Sequence, residues 1–165
     1  MVGPDDRWDP GDLDLLRELY EPVRRFAAVV GRYDLDLDPD DLVQEAFTRV
    51  LFAGALGDRR DLGAYLRRTI VNVAKNERRH RSRGSAAQAR LVAWSDDAPP
   101  PPSDLSDLLH LDPVARGLLY LVEVEGYAIR EAAAMVGCSE PAARMRLSRA
   151  RRRLRAALES ERRDD

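Results

Sequence analysis

Residues 125–155 read EGYAIREAAAMVGCSEPAARMRLSRARRRLR, and the way this stretch folds decides the architecture of the chain. Gly126 ends the preceding helix, and apolar residues then recur at helical spacing from about Ala128 to Val136. Gly137, Cys138 and Ser139 make a turn, with Ser139 the cap of a long helix from Glu140 to about Leu158. Two helices joined by a short turn containing glycine carry the signature of a helix-turn-helix. Helical hairpins with no DNA ligand share that signature, so the outward chemistry has to decide. With Ala143, Leu147, Ala150 and Leu154 as the buried stripe, helical geometry turns Pro141, Met145, Ser148, Arg149 and Arg152 outward. Arg144 and Arg151 lie on the flank, and Glu140 occupies the first turn. A helix entering the major groove needs such a face: arginine pairs with guanine, and glutamate accepts from the cytosine amino group. Arginines further along can hold phosphates. Ser139, Glu140, Arg144, Met145, Ser148, Arg149 and Arg152 are therefore the candidate DNA contacts of this half. The competing reading is a terminal helix kept soluble by arginine.

Upstream, the apolar spacing is helical almost everywhere, which makes the chain all-α. Leu15, Leu16, Leu19, Tyr20, Val23, Phe26, Ala27 and Val30 form one face before Gly31, with a bend or break expected at Pro22. Asp38 as N-cap and Pro39 at the first helical position open the next helix, which buries Leu42, Val43, Ala46, Phe47, Val50 and Leu51. Asp61 caps a third helix, whose inner stripe is Leu62, Tyr65, Leu66, Thr69, Ile70 and Val73. Its opposite face carries Arg67, Arg68, Val71, Lys75, Arg78 and Arg79, with Asn72 at the boundary. Asp112 and Pro113 repeat the opening signal for a helix through about Val124. Between the two helical sets, residues 84–107 include four consecutive prolines, Pro99 to Pro102, and read as a semi-rigid linker. The expected organisation is two small helical domains, 11–83 and 108–160, joined by this Pro-rich linker.

The 165 residues are 44% hydrophobic and 34% charged, with a formal net charge of −2. That average weighs against nucleic acid until it is resolved along the chain. Residues 1–58 carry −8, 59–90 carry +8, 91–143 carry −7 and 144–165 carry +5. The two basic blocks fall on the two helices with outward basic faces, an asymmetry that favours a nucleic-acid partner. The same alternation suggests that oppositely charged blocks draw the domains together in the free protein and mask those faces. A single cysteine, Cys138, excludes an internal disulfide, and no run approaches a membrane span. The acidic opening is unlike a secretory signal, so a cytoplasmic location with no membrane insertion is expected. No phosphate loop, nucleophile constellation or metal-ligand spacing emerges; Asp34, Asp36, Asp38, Asp40 and Asp41 lack the glycine and terminal glutamate of a calcium loop. Neither an enzyme activity nor a cofactor or metal is expected.

Residues 38–51 (DPDDLVQEAFTRVL), 64–83 (AYLRRTIVNVAKNERRHRSR) and 125–155 together resemble the extracytoplasmic-function group of bacterial RNA polymerase sigma factors. The resemblance covers about residues 11–83 and 108–158, in the family's order. It departs at Tyr65, where tryptophan is usual, at Glu131-Ala132-Ala133 for a Glu-Ile-Ala triplet, and at Ala142-Ala143 for a Thr-Val pair. It implies a sigma domain 2 bundle and a sigma domain 4 helix-turn-helix, acting in promoter-specific transcription initiation without catalysis. The implied partners are core RNA polymerase, through its beta-prime clamp and beta flap, promoter DNA, and an anti-sigma factor that no residue here identifies. Asp41, Leu42, Gln44, Glu45 and Phe47 would meet the clamp. Residues 53–61 would capture a flipped minus-ten base, and Arg67, Arg68, Asn72, Lys75, Arg78 and Arg79 would contact the melted strand. The candidate contacts on the last helix would read the minus-thirty-five element. Two alternatives remain at this stage: a stand-alone helix-turn-helix regulator, or an interaction protein that does not read DNA.

Overall fold

The structure, a computed structural model, describes residues 10–31, 37–52, 61–92 and 111–164. Helix α1 spans Pro10–Gly31, α2 Pro39–Phe52 and α3 Leu62–Val92. Helix α4, Pro113–Leu119, continues directly into a π-helical turn, Tyr120–Val124. The last two helices are α5, Ile129–Val136, and α6, Glu140–Asp164. Among the described residues every regular element is helical.

The helix starts follow from their caps. Asp38 Oδ1 accepts the Asp40 amide at 2.8 Å, Asp61 Oδ1 accepts Ala64 at 2.8 Å, and Asp112 Oδ1 accepts Ala115 at 3.0 Å. Each satisfies an amide that has no partner within its own helix. Ahead of α5, Ala128 offers no side-chain acceptor; instead the Glu131 carboxylate reaches back to the Ala128 amide at 3.0 Å. Helix α5 stops at Gly137, whose φ of 74° is left-handed, and the Cys138 amide closes on the Ala133 carbonyl at 3.0 Å.

Three expectations are refined. Of the bend or break expected at Pro22, the break does not occur: α1 runs through it. The missing hydrogen bond, about 3 kcal/mol, is offset because Val23, Phe26, Ala27 and Val30 on the following turns are all fully buried. The third helix does not fade at Arg83 but runs to Val92, into the stretch assigned to the linker. Gly84 alone costs only about 1 kcal/mol, and Ala86, Ala87, Gln88, Ala89 and Arg90 after it are good helix formers. The last helix extends to Asp164 rather than about Leu158. The rest of the linker, with Trp94 and the prolines, lies outside the described residues, as does most of the 53–61 loop.

Helices α1, α2 and α3 pack as a bundle around Phe26, Val30, Val43, Ala46, Val50, Leu66 and Ile70. Helices α4, α5 and α6 enclose Leu118, Leu121, Ala132, Val136, Ala143 and Leu147. These are not separate cores: one continuous apolar cluster joins them, with α4 against α1 and both α4 and α5 against α3. A Cβ on Gly117 would lie 3.1 Å from the Phe26 ring, tight enough that the ring would have to give by a few tenths of an ångström, so glycine favours this close approach of α4. Tyr120 meets the same ring edge-on at 6.1 Å between centroids. Buried Arg116 crosses the seam to donate to the Val30 carbonyl at 2.7 Å, near the end of α1. The two halves thus pack mainly through apolar contact rather than through their opposite charges, and the outward residues of α6 stay exposed.

Removing Phe26 should expose this shared core. Phe26→Ala is expected to cost about 3–5 kcal/mol and to lower one common thermal transition, read by circular dichroism. Two resolved transitions, only one of them shifted, would contradict a shared core. A second outcome concerns Asp40, which accepts from Arg24 at 2.7 Å and from Tyr20 at 2.7 Å, tying α2 to α1. The hydrogen bond from Arg24, followed by that from Tyr20, holds its carboxyl below the ordinary 3.8. A depressed carboxylate contributes stability above its unfolded pKa and loses it as pH falls through the folded value. The melting-temperature gap between wild type and Asp40→Asn should therefore be open at pH 7 and shrink as pH falls below 3.8.

Candidate nucleic-acid interface

Helix α6 carries its inner stripe as the periodicity demands: Ala143, Leu147 and Ala150 are buried, and Leu154 is half-buried. Ser139, Arg144, Met145, Ser148, Arg149 and Arg152 are exposed, and Glu140 is half-buried. Ser139 is a weak cap, its hydroxyl 3.4 Å from the Ala142 amide. Glu140 accepts from Arg144 Nε at 3.1 Å, holding that guanidinium along the first turn. Arg149 leans on the Met145 sulfur at 3.5 Å, and Met145 itself is 55% exposed. An apolar side chain flanked by two guanidiniums suits a groove edge, where a thymine methyl lies beside acceptors. The inner flank instead braces the fold: Arg146 pairs with Asp112 at 3.1 Å and Arg151 with Glu123 at 2.8 Å.

The residues singled out on α3 divide into two groups. Arg68, Asn72 and Arg79 are exposed, while Lys75 and Arg78 are half-buried. Lys75, Arg78, Arg79 and Arg83 border a groove of about 370 Å³, closed on its other side by Asp112, Pro113, Val114 and Arg146. Arg67 differs. It is only 5% exposed, paired with Glu125 across the seam, and Val71 beside it is fully buried. The helical projection turned both away from the core, yet Val71 belongs to the continuous apolar cluster and Arg67 is enclosed by Phe26, Glu125 and Tyr127. Arg68, one residue on, lies over the turn of the helix-turn-helix, its Nε 2.9 Å from where a Gly137 Cβ would stand.

On α2, Asp41 and Gln44 are exposed, and Glu45 is half-buried with its carboxylate on Arg49 at 2.7 Å. Phe47 is half-buried and stacks on Tyr20 at 6.4 Å between centroids. Leu42 lies inside the bundle, 2% exposed and packed over Gly31, so it supports that face rather than presenting it. Asp38 and Asp40 are engaged in capping and ion pairing. Among the described residues no group of histidine, cysteine or acidic side chains could hold a metal. Burial pushes the Cys138 thiol up, away from the reactive thiolate. Sequence reasoning missed Glu125, Arg116 and Tyr127. Their roles arise between the halves and leave no periodic signal within one helix.

No curated protein matches the chain. Residues 15–84 match the family description "Sigma-70 region 2", and residues 108–154 match "Sigma-70, region 4". Among solved structures, the chain resembles the sigma factor RpoE from Bartonella quintana, determined in complex with the anti-sigma factor NepR. Identity is 25%, the TM-score is 0.64, and the match covers 88% of this chain and 95% of that one. It also resembles CnrH, determined in complex with the cytosolic domain of CnrY, at 26% identity and a TM-score of 0.58. That match covers 90% of this chain and 88% of the other. With region 2 on α1–α3, region 4 on α4–α6 and both relatives matched over nearly the whole length, the chain belongs to the sigma-70 family, in its extracytoplasmic-function group.

Proposed function

We propose that this sigma factor docks on core RNA polymerase through α2, reads the minus-thirty-five element with α6 and holds the melted minus-ten strand along α3. The observation that carries this reading is the pair of basic helix faces, one in each sigma-70 region, on a single chain. A regulator acting alone needs one such face; promoter recognition followed by strand opening needs two. Residues 11–83 form the docking and melting unit and residues 108–160 the minus-thirty-five unit. Docking on the beta-prime clamp uses Asp41, Gln44, Glu45 and Phe47, with Leu42 fixing the register of α2 beneath them. The second unit lies by the beta flap. Minus-thirty-five contacts come from Ser139, Glu140, Arg144, Met145, Ser148, Arg149 and Arg152, and minus-ten contacts from Arg67, Arg68, Asn72, Lys75, Arg78 and Arg79. The protein works in the bacterial cytoplasm. An anti-sigma protein is a further partner, since one solved relative was captured with the anti-sigma factor NepR and the other with the cytosolic domain of CnrY.

Selection of promoter sequences by holoenzyme reconstituted from this chain and core polymerase tests the reading. Specific initiation from a recovered two-element promoter is the expected result. Failure to bind core at low salt would refute it, and tight duplex binding without polymerase would favour the stand-alone regulator. In the same assay, Arg144→Ala and Arg149→Ala should each weaken promoter binding by about 1–3 kcal/mol where the side chain pairs with a base. A lost phosphate contact should instead reduce the salt slope by about one unit. Full activity of the double variant would mean that α6 does not read DNA.

A further inference from the structure

The groove of about 370 Å³ along α3 is lined by five cations, Lys75, Arg78, Arg79, Arg83 and Arg146, and by one carboxylate, Asp112. That carboxylate is engaged twice: Oδ2 accepts from Arg146 at 3.1 Å, and Oδ1 caps the Ala115 amide at 3.0 Å. Glu77, the only acid on α3, pairs with Arg81 at 2.9 Å instead of with the groove. Among the described residues no carboxylate pairs with Lys75, Arg79 or Arg83. Cations gathered in a concave surface focus its potential and raise the local concentration of anions. A solvated helix face spreads such charges and interleaves acids among them; this groove does neither.

A second cavity, of about 450 Å³, shares Arg78, Asp112 and Arg146 with the first, so the two adjoin. Its chemistry differs. Leu111, Ala115, Ala142, Met145 and Ala150 line it, with Arg149 and Arg153 beside them. Leu111, Ala115 and Ala150 are buried while both arginines are exposed, so small apolar side chains make the floor and guanidiniums the rim. Guanidinium and ammonium groups at the first end suit phosphate oxygens. A flat apolar floor with a polarizable sulfur and rim guanidiniums suits the face of an aromatic ring. Both volumes fall in the range of small-molecule sites, about 300–1,000 Å³. We propose that this double groove binds a free nucleoside polyphosphate, its phosphates among Lys75, Arg78, Arg79 and Arg83 and its base against Ala142, Met145 and Arg149. A free nucleotide is favoured over a nucleic-acid strand because a strand repeats phosphate and base along its length. Here the cationic end and the apolar-floored end occur once each. The site does not depend on the promoter contacts, since Arg83, Ala142 and Arg153 are not among them.

The test is isothermal titration of the full chain with ATP, GTP, inorganic triphosphate and adenosine, in metal-free buffer at low salt. At least one of the two nucleotides should bind once per chain, at least tenfold tighter than triphosphate, with adenosine weaker still. Arg83→Ala, at the cationic end, should weaken that nucleotide and triphosphate alike, each at least fivefold. Ala142→Phe fills the apolar end; it should weaken the nucleotide at least fivefold and leave triphosphate unchanged. Circular dichroism of each variant checks that it folds, and Arg153→Ala, a surface change at the rim, should weaken the nucleotide if Ala142→Phe does not fold. Absence of saturable binding by either nucleotide would overturn the proposal. Equal affinity for nucleotide and triphosphate would also overturn it, because nothing would then occupy the apolar end. A single-stranded oligothymidine that binds and is weakened by Arg83→Ala, while neither nucleotide binds, would mean that the groove holds a strand instead. That result too would overturn the free-nucleotide site, and it would leave the promoter reading intact.

Discussion

Two helices approach only as closely as the side chains between them allow, and at Gly117 there is no side chain. Phe26 fills that gap from α1, at a distance where a Cβ would be crowded at 3.1 Å. This contact sets how near the second region lies to the first, and the rest follows from it. Arg116, the residue before, comes within reach of the Val30 carbonyl, and Tyr120, one turn later, meets the edge of the Phe26 ring. The chain leaving α4 then carries Glu125 to Arg67. A larger residue at position 117 would displace all of these together, because close-packed interiors transmit rather than absorb such changes.

Much of the fold was legible because its signals are local. The Asp-Pro pairs at 38–39 and 112–113, and Asp61, announce helix starts through the geometry of one turn, and each carboxylate caps as its position implies. The stripe of α6 was legible for the same reason. What the sequence alone did not convey is two-sided burial. A helical projection assumes one buried face and one wet face, so Arg67 and Val71 read as outward when both are buried, Arg67 among Phe26, Glu125 and Tyr127. Leu42 carries two readings, one in the buried stripe of α2 and one, through the resemblance, in a docking face; its 2% exposure agrees with the first. The extension of α3 to Val92 was hidden behind Gly84, a helix penalty too small to overcome the alanines that follow.

Charge patterning proved informative at one scale and misleading at another. Block by block it located the two basic helices, α3 and α6, one in each sigma-70 region. It also suggested that opposite blocks hold the halves together. At atomic distance the seam is built from Phe26, Gly117, Tyr120, Val136 and their neighbours, with one buried ion pair set among them. Exposed opposite charges attract weakly in water and are screened within about 10 Å at moderate salt, whereas apolar contact is short-ranged but unscreened. Blocks of charge therefore indicate what each face can bind, and the apolar stripe decides where the faces rest.

That division has a consequence for how the halves can separate. Where α4 meets α1 the side chains are small: Gly117 lies against Phe26 with Val136 beside it. Burial yields about 0.8 kcal/mol per methylene, so these small residues contribute little, and the cost of parting the halves rests on Phe26 and Tyr120. The departures from the family pattern lie in this same region: alanine at 132 for isoleucine, and Ala142-Ala143 at the head of α6. Trimmed side chains that weaken the second region's packing also lower the free energy needed to move it. A partner that favours a parted state would therefore have to offset chiefly the exposure of Phe26 and Tyr120.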